Sequence, residues 1–295
     1  MKIFMIACLG VVVALGLAVG TARAETPESK AALADIQRTL GFVPTFFQAF
    51  PEEGIAGAWA EFKAIQGDPK TAVPGKYKEL MGLAVSAQIP CEYCIYFHTR
   101  AAKANGATER EIKEAVAVAA MVRHWSTFLN GARIDEARFN KDLDRVVTNA
   151  RKSAGKAAPP STPVTDATSA RTDIQRTLGF VPDFLVRFPD AAIAGAWTEL
   201  KSLQLNPQTA IPSKYKELIG LAVAAQIPCR YCIAFHTEIS TQLLGASDTE
   251  VAETLAMASL VRHWSTFLNG MQIDKATFRQ EVDRLMDGGD KSAKK

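Results

Sequence analysis

Charge of one sign is scarce in this sequence. Its 34 basic and 31 acidic residues leave a net charge of +3, and no basic cluster interleaves with aromatics, so nothing argues for a nucleic-acid partner. Stretches of alternating apolar and polar residues are missing as well. That excludes half-buried β-strands and points to an all-α protein. Cysteine is sparse, with five in 295 residues. Cys8 lies in an apolar run near the start and lacks the context of a lipid-modified cysteine. The other four, Cys91, Cys94, Cys229 and Cys232, form two tight Cys-x-x-Cys pairs. A structural framework would link distant cysteines and so close long loops. Tight pairs suggest reversible redox centres or metal half-sites instead. Covalent haem attachment needs a histidine directly after the second cysteine, and Ile95 and Ile233 stand there. No cofactor is expected on these grounds.

What is present is ordinary for a globular protein: 48% hydrophobic and 22% charged residues, in a length sufficient for two domains. Residues 1–24 read as an export signal. Lys2 precedes an apolar run over residues 3–19, and Ala22-Arg23-Ala24 supplies the small-x-small pattern of a peptidase site, so cleavage is expected after Ala24 and the protein is expected in the periplasm or secreted. An exported chain is free to form disulfides.

The remainder is a duplication. Residues 77–99 read YKELMGLAVSAQIPCEYCIYFHT and residues 215–237 read YKELIGLAVAAQIPCRYCIAFHT, with 19 of 23 positions identical. Residues 36–44 recur at 174–182, an offset of 138, and the cysteines keep that offset. His124 and His263 are offset by 139, which places one inserted residue between His236 and Gly245. The reading is a first domain over 30–149, a linker over 150–170 rich in Ala, Pro, Ser, Thr and Lys, a second domain over 171–286 and a disordered polar tail over 287–295. Two like domains in one chain are expected to pack as a pseudo-symmetric pair.

Within a repeat the spacing predicts a helix over 30–40, ended by Gly41-Phe42-Val43-Pro44, and another over 52–66 with Ile55, Trp59, Phe62 and Ile65 on one face. A broad-faced, largely buried helix follows over 77–88. Pro90 breaks it and starts a new helix over 91–104, which Asn105-Gly106 ends. Thr108-x-x-Glu111 and Ser247-x-x-Glu250 are capping boxes for a long helix to about Leu129, and Asp135 caps a last one to about Asn149. Trp59, Trp125, Trp197 and Trp264 read as core.

Each repeat carries Glu-x11-Cys-x-x-Cys-x3-His: Glu79, Cys91, Cys94 and His98, then Glu217, Cys229, Cys232 and His236. Two cysteines three apart at a helix start share a face and are close enough to bridge. The first turn offers unpaired amides and positive dipole charge, both of which favour a thiolate. A histidine one turn further can accept or return a proton. These are the parts needed for peroxide reduction or disulfide exchange: one thiolate attacks, and the other thiol resolves the product to a disulfide. Two plainer readings stand beside this one, a static disulfide and a structural zinc site completed by His124 or His263. On spacing alone Glu79 could be a first-turn acid favoured by the helix dipole, and His124 and His263, in the shared run VRHWSTFLNG, read as packing residues. Glu92 lies inside the first motif and Arg230 inside the second. A carboxylate disfavours a nearby thiolate and a guanidinium favours it, so the second site is expected to have the lower thiol pKa.

The pattern, preceded by Gly-Phe-Val-Pro-x-x-Phe, resembles the AhpD-like alkylhydroperoxidase branch of the carboxymuconolactone decarboxylase family, over most of both repeats. The resemblance implies an all-helical fold assembled as trimers or hexamers, with a dithiol that reduces hydroperoxides and is itself restored by a dithiol reductant that the sequence does not name. It implies that Cys94 and Cys232 attack peroxide, that Cys91 and Cys229 resolve, and that Glu79 with His98 and Glu217 with His236 relay protons. The family's best-known peroxidase has a histidine between its cysteines, where this chain has Tyr93 and Tyr231, so that part of the relay is missing. Decarboxylases of the family lack the cysteine pair. The runner-up activities are thiol-disulfide exchange on proteins and a non-catalytic role.

Overall fold

The computed structural model describes residues 26–155 and 163–289. The expected signal segment lies outside these residues, as do residues 156–162 and 290–295. Among the described residues there is no strand, and no helix is long and apolar enough to cross a membrane. The first half holds α1 (Pro27–Leu40), α2 (Thr45–Gln48), α3 (Glu52–Phe62), a π-helical turn (Lys63–Gly67), α4 (Gly75–Gln88), α5 (Glu92–Ala104), α6 (Glu109–Gly131) and α7 (Glu136–Ser153). The second half repeats the order with α8 (Ala167–Leu178), α9 (Asp183–Val186), α10 (Asp190–Glu199), a second π-turn (Leu200–Gln204), α11 (Ser213–Gln226), α12 (Arg230–Gln242), α13 (Asp248–Gly270) and α14 (Lys275–Gly289).

The local signals act as their chemistry requires. Thr108 and Ser247 accept from the backbone N–H groups of Glu111 and Glu250, whose carboxylates return the bond. Asp135 accepts from the Arg138 N–H at 2.7 Å and starts α7. Gly41 and Gly179 end α1 and α8 in the left-handed conformation, at φ of 81° and 83°. Residues 52–66 depart from the expected single helix. The last turn widens into a π-turn because Lys78, buried on α4, hooks its end: Lys78 Nζ donates to the carbonyls of Ile65 and Asp68 at 2.8 and 2.9 Å. Lys216 does the same for the second π-turn through the carbonyls of Leu203 and Asn206 at 2.7 and 2.6 Å. Burial pushes both ammonium groups below their ordinary pKa.

The helices α4 and α11 form the centre. Every residue over 78–86 and 216–224 is buried, as expected of helices with no polar face. They pack on each other and on both long helices, α6 and α13. Tyr77 and Tyr215 stack where the two halves meet, with ring centroids 3.7 Å apart. Pairing across the halves is reciprocal. Glu253 on α13 accepts from the N–H groups of Ala72 and Val73 at 2.9 and 2.7 Å, and Glu114 on α6 accepts from Ala210 N–H at 2.7 Å. Glu281 on α14 caps Thr45 at the start of α2, and Asp142 on α7 caps Asp183 at the start of α9. The two repeats are thus a pseudo-symmetric pair in which each half finishes the loops of the other.

Two predictions follow from this bonding. Residues 26–155 alone would leave the Ala72–Val73 and Thr45 N–H groups without their carboxylate partners, so they should yield an unfolded chain or a homodimer in analytical ultracentrifugation. A cooperatively melting monomer would contradict the reciprocal design. The second concerns Asp35, which accepts from Lys63 Nζ and Trp59 Nε1 at 2.8 and 2.7 Å. The Lys63 ammonium and the Trp59 indole hold its carboxyl at about 2, below the ordinary 3.8. A depressed folded-state pKa contributes stability that is present above 3.8 and lost as pH falls through 2. Asp35→Asn should therefore flatten the acid limb of a stability–pH curve in that window.

Candidate active sites

Residues 88–94 fold into the first site because Pro90 separates two helices. The backbone turns there, and Cys91 becomes the N-cap of α5, its sulfur accepting from the Cys94 N–H at 3.3 Å where an oxygen would ordinarily sit. Cys229 caps α12 the same way, 3.3 Å from the Cys232 N–H. Each pair is joined as a disulfide with Cα atoms 5.3 Å apart. All four sulfurs therefore sit at the positive end of a 13-residue helix.

The histidine is set by a carboxylate from the neighbouring helix. His98 Nδ1 lies 2.8 Å from Glu79 Oε2, and His236 Nδ1 lies 2.6 Å from Glu217 Oε2, with all four side chains buried. A carboxylate acceptor fixes the proton on Nδ1 and leaves Nε2 as the ring's acceptor. The structure thus brings together every residue of the sequence motif, in both halves.

Three further contributors escaped the sequence reading. The first is glycine. A Cβ on Gly82 would stand 2.4 Å from the His98 ring, and one on Gly220 the same distance from His236. The imidazole can lie against its helix only because that helix has no side chain there. The signal was available: a glycine three residues after the glutamate in both copies, inside a helix where glycine is costly. The second is a glutamine on each π-turn. Gln66 Nε2 donates to Glu79 Oε1 at 3.1 Å, and Gln204 Nε2 to Glu217 Oε1 at 2.7 Å. The third comes from the opposite half. Asn269 Nδ2 approaches Cys91 Sγ at 3.5 Å, and Asn130 Nδ2 approaches Cys229 Sγ at 3.7 Å.

Each site opens on a cavity built from both halves. The first, about 40 Å³, is lined by Cys94, His98, Gln66 and Phe62 from its own half and by Leu260, Trp264 and Phe278 from the other. The second, about 60 Å³, is lined by Cys232, His236, Gln204 and Phe235 together with Met121, Trp125 and Phe139 of the first half. Trp125 and Trp264, expected as core, are buried and also form site walls. Cys94 and Cys232 face these cavities, while Cys91 and Cys229 are fully buried behind them.

Tyr93 and Tyr231 do not extend a relay: their hydroxyls donate to the Ile273 and Ile134 carbonyls of the opposite half at 2.6 and 2.5 Å. His124 and His263 are exposed, with rings against Phe188 and Phe50. Among the described residues no group of three or more metal-ligating side chains converges, so neither histidine completes a zinc site. The motif charges are each matched across the halves. Lys275 Nζ meets Glu92 at 2.7 Å, and Arg230 meets Glu136 at 3.0 Å. An opposite charge from the other half thus stands beside each of the two charges on which the expected difference rested.

An all-α duplication with a dithiol–disulfide at each helix head and a buried carboxylate–imidazole behind it defines a class of helical thiol proteins. The chain belongs to the carboxymuconolactone decarboxylase family, whose model matches residues 54–137 and 191–276, more than half of the sequence. A crystal structure described as that of a candidate gamma-carboxymuconolactone decarboxylase subunit from Burkholderia xenovorans LB400 shares the fold. Its TM-score is 0.52 at 16% sequence identity, over 86% of this chain and 99% of that one. Among curated proteins none matches the sequence significantly.

The glycine contact gives a prediction whose sign is informative. An exposed helical Gly→Ala change stabilises by about 1 kcal/mol. Gly220→Ala instead forces the His236 ring off Glu217 and should destabilise by about 1–3 kcal/mol. Thermal unfolding reads the sign, and the nitrogen NMR shifts of His236 read the loss of the Nδ1 bond.

Proposed function

We propose that this protein is a thiol-dependent peroxidase that reduces hydroperoxides at two dithiol centres. The observation that carries the reading is which sulfur meets each cavity. Cys94 and Cys232 share an apolar cavity with an imidazole, and their partner cysteines sit behind them within bonding distance. That is the order of attacking and resolving thiols.

The chemistry balances with these groups. In the reduced state the thiol of Cys232 passes its proton to His236 Nε2, and Glu217 holds the resulting imidazolium. The thiolate attacks the distal peroxide oxygen: an S–O bond forms, the O–O bond breaks, and sulfur gives up two electrons. The leaving alkoxide takes the proton from His236. Cys229 then attacks the sulfur of Cys232, an S–S bond forms, and water leaves with the Cys229 proton. Cys91, Cys94, His98 and Glu79 do the same in the first half. An external dithiol returns each disulfide to the reduced state. The cavity at Cys232 adjoins a second, apolar one of about 150 Å³, with Phe139, Phe184, Leu200 and Phe235 in both walls. Such walls suit organic hydroperoxides. Exchange with protein disulfides is the weaker reading, because a cysteine 4–5% exposed in the wall of a 40–60 Å³ cavity does not admit a polypeptide loop. We also propose export through residues 1–24, so that the reductant would be a dithiol of the outer compartment.

Reduced wild type should lose two thiols for each equivalent of cumene hydroperoxide consumed, until both sites are oxidised. Cys94→Ser with Cys232→Ser should lower the rate of thiol loss by at least about 10³-fold. Unchanged rates in that double variant, or a wild type inert to hydroperoxide, would reject the reading.

A further inference from the structure

Gln204 holds one amide atom that the relay does not use. The residue is 2% exposed and lies on the second π-turn, in the wall of the cavity shared by Cys232 and His236. Its Nε2 donates to Glu217 Oε1 at 2.7 Å, which assigns Oε1 as the other end of the amide. That oxygen is buried and has no hydrogen-bond partner. Buried acceptors are ordinarily satisfied, and one left unpaired on a residue that lines a cavity marks a place for a donor. Of the other polar groups of this cavity, the Tyr231 hydroxyl is bound to Ile134, and His236 Nδ1 to Glu217.

We propose that Gln204 Oε1 is a substrate-binding group that accepts the O–H of the hydroperoxide and so presents its distal oxygen to Cys232. The inference rests on the peroxidase reading and adds to it a residue outside the sequence motif. The chemistry suits an acceptor. The distal O–H bond is kept while the S–O bond forms and the O–O bond breaks, so the hydrogen bond to Gln204 persists from bound peroxide to sulfenic acid. The leaving oxygen is protonated elsewhere, from His236. Attack also needs the distal oxygen held in line with the sulfur, and one fixed acceptor on a hydrogen-bonded side chain supplies that orientation. The wide turn is what places it. Lys216 fastens the end of the π-turn through the carbonyls of Leu203 and Asn206 and the Thr209 hydroxyl, the last at 2.8 Å. Gln66 occupies the matching place in the first cavity.

The alternative is that Gln204 only positions Glu217. Full-length protein with Cys91→Ser and Cys94→Ser isolates the second site. In this background, thiol loss from the reduced protein is followed in a single turnover with cumene hydroperoxide, and Cys232 alkylation is followed with iodoacetamide. Iodoacetamide reports the thiolate and offers no hydroxyl hydrogen. Gln204→Leu also removes the bond to Glu217, a loss that alkylation reports, so it should slow the hydroperoxide reaction about 10- to 100-fold more than it slows alkylation, as expected for a group that acts on substrate in addition to holding Glu217. Equal slowing of both reactions assigns Gln204 to positioning and overturns the proposal. No slowing of either also overturns it. A parent site inert to hydroperoxide removes the peroxidase reading, and this inference with it. Gln204→Met, closer in shape, carries the same comparison should the leucine variant not melt cooperatively.

Discussion

A carboxylate buried between helices governs this architecture. Glu79 and Glu217 sit on the two central helices, 4% and 2% exposed, among side chains packed on every side. An ionised carboxylate in such a place is strongly unfavourable unless its oxygens are hydrogen-bonded. Two partners meet that demand, and each imposes a condition on the sequence. The histidine must lie flat on the helix, which requires Gly82 and Gly220. The glutamine must reach over from the preceding segment, which requires a wider turn than an α-helix gives. The lysine beside each glutamate holds that turn open by binding its terminal carbonyls. Lys-Glu-x-x-Gly is therefore one unit: charge, acceptor and clearance on a single helical face and its edge.

The duplication is more than two domains on a string. The cavity walls, the asparagine beside each capping cysteine and the carboxylates closing the turns all cross between halves. A single repeat would have to borrow these groups from a second copy, as in a homodimer with an isologous interface. Fusion into one chain keeps that exchange but frees the two copies to differ. It also makes each centre sensitive to the packing of α6 or α13, which carry the asparagine beside the other half's sulfur and part of its cavity wall.

The sequence carried the local features plainly. Capping boxes, helix-ending glycines and the proline break are short-range devices, and each produced the expected boundary. The cysteines and histidines were legible because four residue types agree at fixed spacing twice over. The π-turn was not, since residues 52–66 have helical periodicity and the widening is imposed by a lysine 13 residues from Ile65. Gln66 and Gln204 were invisible for the same reason. Asn130 and Asn269 lie in the last turn of the long helices, which end at Gly131 and Gly270. Their approach to the other half's sulfur depends on how the repeats dock, which no local pattern encodes.

Charge and volume diverge in how far they distinguish the two centres. The Glu92 and Arg230 difference looked like a source of unequal thiol reactivity, yet each change is accompanied by an opposite charge from the facing helix. Volume is not compensated in this way. In the first half Phe47 and Phe62 pack edge-on with ring centroids 5.7 Å apart, and Phe47 also meets Trp59 and Trp264. The matching positions hold Leu185 and Leu200, which line the apolar cavity of about 150 Å³ behind the second site. Replacing two rings by branched aliphatic chains removes the atoms that would fill this space. The copies therefore keep one electrostatic design and differ in the room behind the site.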